Sequence, residues 1–236
     1  MDRRGHGEGE WLQVGGQVSA IEVQKRNKRR VNVFVDGSFA VGLSIEVGAR
    51  LAVGQTLSDN DIAGLQVEDA YQVALDTAMY FLATRSRSVW EVEQRLIRKG
   101  IDQAVIEQVI HRLAEIGLLD DLNFASQWIE NRDTFRPRSR RILRQELWRK
   151  GIADEVIDAA LEDRATDDSE AARRLAAARA HRYHGLSRQD VYRKLGAYLR
   201  RRGFSWDTVK EAVDELWDAE FADQAAQSGA YGNEED

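Results

Sequence analysis

The chain has 236 residues, 43% of them apolar, which is enough to bury a genuine core; it has no apolar run approaching the roughly 18 residues of a membrane span. Its start, MDRRGHGEGEW, lacks the apolar stretch of a secretion signal. The absence of cysteine excludes disulfides, thiolate nucleophiles and Cys-ligated zinc, and a cytoplasmic location is expected.

The net charge of −6 hides an asymmetry: residues 85–202 hold 25 Lys or Arg against 19 Asp or Glu, whereas 207–236 hold Lys210 against ten acids. A lone proline, Pro137, among many Leu, Ala, Arg and Glu residues predicts a mainly helical chain.

In chain order, residues 1–16 read as a flexible N-terminus and 17–67 as a small strand-rich segment. β-Branched and aromatic runs fall at Val18, Ile21 and Val23, at Val31, Val33, Phe34 and Val35, and at Phe39, Val41 and Leu43. Asp36-Gly37 separates the last two runs and suits the positive φ angles of a hairpin turn, so two or three antiparallel strands are expected. The basic run Lys25 to Arg30 connects the first strand to that hairpin. From about Glu68 the apolar period becomes helical.

Three segments then align on a glycine: RLIRKGIDQAVIEQVIHRL at 95–113, ELWRKGIADEVIDAALEDR at 146–164 and YLRRRGFSWDTVKEAVDEL at 198–216. The register holds six residues beyond Gly100, Gly151 and Gly203 (Ile106, Ile157, Val209) and again at ten (Ile110, Leu161, Val213). Each copy reads as helix, tight turn, helix, with capping candidates Asp102, Asp154 and Ser205. A further helix precedes each pair, near Asp69 to Thr84, Asp121 to Phe135 and Ser169 to His184.

The expected architecture is three tandem three-helix repeats (68–118, 119–166 and 167–222), stacked in an elongated curved array because such a unit buries its apolar face poorly alone. Residues 163–170 read as a flexible joint, and 223–236 as a disordered acidic tail.

Cations at a helix C-terminus followed by a left-handed glycine have a sufficient structural reason, so the repeated Arg/Lys-Gly element establishes architecture rather than a site. A sharper signal is Arg132, Arg136, Arg138, Arg140, Arg141, Arg144, Arg149 and Lys150, opposed within 132–150 only by Asp133 and Glu146. A second cluster spans Arg173 to Arg202 and includes Arg193, Lys194, Arg200, Arg201 and Arg202, with Asp190 as its only acid. Arginine forks suit phosphates and carboxylates alike, so both clusters predict an anionic partner.

Trp90, Trp128, Trp148, Trp206 and Trp217 read first as core, with base stacking by Trp148 beside Arg144 and Arg149 as the alternative. Asp120-Asp121 reads as a helix cap, and His181 and His184 as surface residues on one helix face. No P-loop, GxGxxG, GxSxG or HExxH occurs, so neither catalysis nor a metal or cofactor is expected.

At these residues the chain resembles the RecX family, regulatory partners of the bacterial RecA recombinase. Arg87-Ser88 followed by Glu93, Leu96 and Lys99-Gly100 resembles the first-repeat signature. Gly117-Leu118-Leu119-Asp120-Asp121 with Phe124-Ala125 resembles the entry to repeat two, and Lys150-Gly151-Ile152 and Arg202-Gly203-Phe204 resemble the later repeats. Ile21 to Asn27 and Val31 to Gly37 resemble the strand-forming extension of longer members. Arg136-Pro137-Arg138 departs from the pattern, where the family often has glycine.

The resemblance implies a protein without cofactor or catalytic residue that lodges in the groove of the RecA filament on single-stranded DNA and opposes its activities in DNA repair and the SOS response; since occupying a groove needs no self-association, a monomer is expected. The rival expectation is a free-standing helical DNA-binding protein.

Overall fold

The computed structural model describes residues 15–164 and 167–220. The expected acidic tail, and the expected flexible N-terminus short of residues 15 and 16, lie outside the described residues. Two compact units are present: residues up to Arg85 together with Val92–Leu118, and Ser86–Glu91 together with residues from Leu119 onward.

In the first unit, strands β1 (Gly16–Val23), β2 (Arg30–Val35), β3 (Ser38–Ser44) and β4 (Thr56–Leu57) form an antiparallel sheet in the order β3-β2-β1-β4. Alternation along the strands sends Val18, Val31, Val33, Val35, Val41 and Leu43 to one face, where Val47, Leu57 and Ile62 complete the core. Asp36 and Gly37 both take positive φ, 48° and 80°, as a primed hairpin turn requires. Phe34 and Phe39 meet edge to face on the other side, with centroids 6.1 Å apart.

The fourth strand escapes sequence reading because two residues show no alternation. Gly16, expected in the flexible N-terminus, pairs with Leu57.

After the short helix α1 (Ile45–Gly48), helix α2 spans Asp59–Leu82 and starts well before the expected change of period at Glu68. Ser58 and Asp61 form a reciprocal capping box, and this polar signal precedes the apolar stripe. Asp69 then turns its carboxylate onto the sheet, accepting from Ser44 N at 2.5 Å and from Arg30 at 2.8 Å.

The remaining helices are α3 (Val89–Ile97), α4 (Gln103–Glu115), α5 (Asp121–Phe135), α6 (Arg140–Trp148), α7 (Asp154–Glu162), α8 (Asp168–Ala177), α9 (Arg188–Arg201) and α10 (Trp206–Glu220). The chain is mainly helical, with α2–α4, α5–α7 and α8–α10 as its three-helix repeats. The second repeat gathers Phe124, Ile129, Leu143, Leu147, Ile157 and Leu161 into its own core, and the third gathers Leu175, Val191, Leu195, Leu199, Val209 and Val213. These two repeats therefore bury their apolar faces more fully than the periodicity alone implied.

Two local expectations are corrected. The helix expected over Ser169 to His184 ends at Ala177, and a 3-10 turn at Ala180–Arg182 follows, so His181 and His184 do not share an α-helical face. Asp154 is the first residue of α7 rather than its cap; Ala153 holds the cap position without a side-chain bond. Residues 165 and 166 of the expected flexible joint lie outside the described residues; beside them Arg164, whose side chain is 4% exposed, bonds both oxygens of Asp133 at 2.7 and 2.8 Å, Asp168 at 3.0 Å and the Arg138 carbonyl at 3.2 Å.

Gly100, Gly151 and Gly203 all lie in the left-handed region, with φ of 75°, 76° and 94°. In the first two turns the following amide reaches back five residues in Schellman fashion, Ile101 N to Leu96 O and Ile152 N to Leu147 O, both at 3.3 Å. The last two glycines carry a second constraint inside the second unit. A Cβ at Gly151 would lie 2.3 Å from Trp90 Cβ, and one at Gly203 would lie 2.2 Å from Ile142 Cγ1, whereas one at Gly100 meets nothing within 4 Å.

Beside these close approaches the serine at the start of one helix meets the residue preceding the glycine. Ser88 Oγ donates to Lys150 O at 2.6 Å, and Ser139 N donates to Arg202 O at 3.1 Å. Both serines are buried.

Candidate anion interface

The 132–150 arginines fall into two groups once their neighbours are known. Arg132 Nε donates to Glu146 Oε2 at 2.7 Å while its guanidinium lies 4.4 Å from the Trp128 ring, and Trp128 Nε1 donates to the same carboxylate at 2.9 Å. Lys150 Nζ sits 5.2 Å from that ring and pairs with Glu91 at 2.8 Å. Arg144 pairs with Asp158 and Asp154, and Arg140 donates to the Leu161 carbonyl at 3.1 Å. Arg132, Arg140, Arg144 and Lys150 thus take part in internal contacts.

Arg136, Arg141 and Arg149 are exposed and have no carboxylate within ion-pair distance among the described residues. Helix α6 explains the outward placement of Arg141. Leu143 and Leu147 face the core, while Arg141, Arg144, Gln145 and Trp148 follow the i, i+3, i+4, i+7 spacing on another face and line a groove with Asp154.

Trp148 is 65% exposed there, Trp206 58% and Trp90 43%, which corrects the core reading for these three. Trp128 and Trp217 do pack against the cores of their repeats.

Part of the second cluster is paired with acids, two of them on α10. Arg173 meets Glu215 at 3.3 Å and Arg188 meets Asp214 at 2.6 Å, while Arg193 pairs with Asp190 at 2.6 Å. Tyr192 also donates to Asp214, and its hydroxyl together with Arg188 holds that carboxyl below its ordinary range. Lys194, Arg200 and Arg201 are exposed with no carboxylate partner among the described residues.

Arg202 is half-buried instead: it donates to Pro137 O at 3.1 Å and lies 4.8 Å from the Tyr198 ring. Arg138 is half-buried too and donates weakly to Arg201 O at 3.5 Å.

Sequence reading missed Arg164 and Tyr198. At Arg164 burial opposes the charge, but the bonds and charges of Asp133 and Asp168 outweigh it and hold the guanidinium above its ordinary range. The distant Asp133 gave no local signal. Tyr198, four residues before Arg202 on α9, has helical spacing that could have found it.

Four family models match in order along the chain: the "Regulatory protein RecX N-terminal domain" over residues 16–58, and the first, second and third RecX three-helix domains over 74–113, 120–161 and 166–213. The chain belongs to the RecX family.

Among its relatives, the regulatory protein RecX of Clostridium tetani is 30% identical over 205 residues, covering 85% of this chain and 94% of the relative. The RecX of Bacillus subtilis is 31% identical over 203 residues, covering 84% and 76%. A crystal structure of regulatory protein RecX superposes with a TM-score of 0.63 at 26% identity, over 85% of this chain and all of that one. That of RecX from Lactobacillus salivarius gives 0.57 at 26% identity, over 63% and 97%.

Several residues that carry the RecX resemblance have structural roles here. Leu119 is buried, Asp120 caps α5 through Asn123 N at 3.0 Å, and Asp121 accepts from Val89 N at 2.9 Å. Burial pushes the Asp121 carboxyl up, with the Val89 bond opposing and the Asp120 charge adding to the rise. No group of three or more His, Cys, Asp or Glu residues suited to a metal occurs among the described residues. None of the described helices is long and apolar enough to cross a membrane.

Proposed function

We propose that this chain is a non-enzymatic regulator that binds the RecA filament on single-stranded DNA and lowers its ATPase, recombinase and coprotease activities, acting in DNA repair and the SOS response. Membership of the RecX family along the whole order of domains is the observation that carries this reading. It acts as a cytoplasmic monomer without a cofactor, with the strand-rich segment 17–67 and the repeats 68–118, 119–166 and 167–222 as its working parts.

The exposed and unpaired cations supply a physical means. Arg136, Arg141 and Arg149, with Lys194, Arg200 and Arg201, offer an anionic partner charge that is not already engaged by the fold. Arg132, Arg144 and Lys150 are engaged in ion pairs and Arg140 bonds the Leu161 carbonyl, while Arg138 and Arg202 are half-buried. Many modest contacts to successive subunits of a filament add up to tight binding.

The test is single-strand-dependent ATP hydrolysis by RecA while the protein is titrated toward equimolar. A dose-dependent fall that is relieved when Arg136, Arg141 and Arg149 become Glu supports the reading, and full inhibition by the reversed variant removes these residues from the interface. A direct nucleic-acid contact is the second reading, favoured by exposed Trp148 beside Arg141 on α6. It predicts steeply salt-dependent binding to naked DNA and no response of ATP hydrolysis beyond loss of free strand.

A further inference from the structure

Three half-buried guanidiniums from separate segments gather near the end of α9, two of them over the Tyr198 ring and the third, Arg138, bonded to Arg201 O. Arg138 comes from the link between α5 and α6, Arg179 from the residues after α8, and Arg202 from the end of α9. Arg179 lies 3.8 Å and Arg202 4.8 Å from the centre of the Tyr198 ring. Arg138 Nε is buried with no hydrogen-bond partner.

No carboxylate pairs with any of the three among the described residues, whereas half-buried Arg30 and Arg132 and the buried side chain of Arg164 each face one, from Asp69, Glu146 and Asp133. Arg202 is held below its ordinary range by burial first, and then by repulsion from Arg138, Arg179 and Arg136, with Tyr198 opposing. Gathering like charges away from water without a counter-charge is unfavourable unless an anion completes the cluster.

We propose that Arg179 and Arg202 over the Tyr198 ring, together with Arg138 at the end of α9, form a phosphodiester-binding site for a nucleic-acid strand. Guanidiniums stacked on a ring keep their in-plane N–H groups for an acceptor, and forks arriving from three segments suit a tetrahedral anion better than a planar carboxylate. A polyanion fits better than a single phosphate ion, because exposed Arg136, Arg200 and Arg201 adjoin these positions in the chain and extend the charge. Arg202 also donates to Pro137 O, which positions one fork before any ligand arrives. The proposal deepens the regulator reading by naming a phosphate contact, and it rests on that reading only for the identity of the strand.

The experiment uses the full chain alone, without RecA, and follows the anisotropy of a labelled single-stranded oligonucleotide across a salt series. Replacing Arg138 and Arg179 by Gln should weaken binding about tenfold and reduce the salt slope by about 1 to 2. Replacing the acid-paired Arg173 and Arg193 by Gln should change both far less. Equal losses in the two pairs, no loss in the first, or no binding by the parent would overturn the site.

A parallel melt compares inorganic phosphate with chloride at matched ionic strength. Protection by phosphate that disappears in the first variant, with oligonucleotide affinity unchanged, would assign the site to free phosphate and overturn the strand as its occupant. If the first variant does not melt cooperatively, exposed Arg136→Gln takes its place, and an unchanged salt slope there counts against the proposal. Because RecA is absent, these outcomes are independent of whether the protein regulates a filament.

Discussion

At Gly100, Gly151 and Gly203 the same left-handed turn is embedded in different surroundings, and that difference sets the cost of a methyl group. Alanine at Gly100 should destabilise by about 1 to 2 kcal/mol from backbone strain alone, since nothing stands near its Cβ. Alanine at Gly151 or Gly203 should cost more, because Trp90 or Ile142 would have to move as well. Urea unfolding of the three variants checks this, and equal losses would contradict the close approaches.

Asp214 gives a pH signature. Its folded-state pKa lies below the ordinary 3.8 through Tyr192 and Arg188, so the stability it contributes is complete above that value and is lost as pH falls through the folded pKa. Asp214→Asn should therefore flatten the acid limb of a melting-temperature profile while lowering stability at neutral pH. An acid limb as steep as the parent's would exclude Asp214 as its source.

Elements were most legible where a polar cap and an apolar period coincide. Helix α5 begins at Asp121 and ends at Phe135 as expected, with Asp120 as its cap. The Asp36-Gly37 hairpin likewise needed only local information. Helix α2 was read short because its opening turns, from Asp59, are capped by Ser58 and Asp61 before a clear stripe develops. Helix α8 was read long because Ala178 to His184 keeps a helical composition although the backbone passes into a 3-10 turn.

Between α5 and α8 the decisive contact was invisible: Arg164 reaches Asp133, 31 residues away, as well as Asp168. Arg164→Met removes the cation and leaves two carboxylates facing each other's charge, so a loss of about 3 to 5 kcal/mol is expected in chemical denaturation. A loss under about 1 kcal/mol would reduce the network to an ordinary surface pair.

For the whole molecule, charge composition pointed to an anionic partner but could not say which cations remain free. Arg132 and Glu146 are 14 residues apart and Arg188 and Asp214 are 26 apart, separations that only the folded repeats bring within reach. The acidic stretch that begins at Asp207 is thereby partly spent on the basic helices α8 and α9, and the asymmetry along the chain is smaller in the folded repeats. Arg136, Arg141 and Arg149 have no carboxylate partner among the described residues, and the exposure of Trp148 opposes the simple rule that tryptophan fills cores.

We propose that the exposed cations serve a RecA filament rather than bare nucleic acid. The most direct measurement is the affinity of the protein, at physiological salt, for RecA filaments on single-stranded DNA and for the same DNA without RecA. Markedly tighter binding to the filament, weakened by reversing Arg136, Arg141 and Arg149, is the result predicted. Equal or tighter binding to naked DNA would contradict the account and make the protein a DNA-binding protein in its own right.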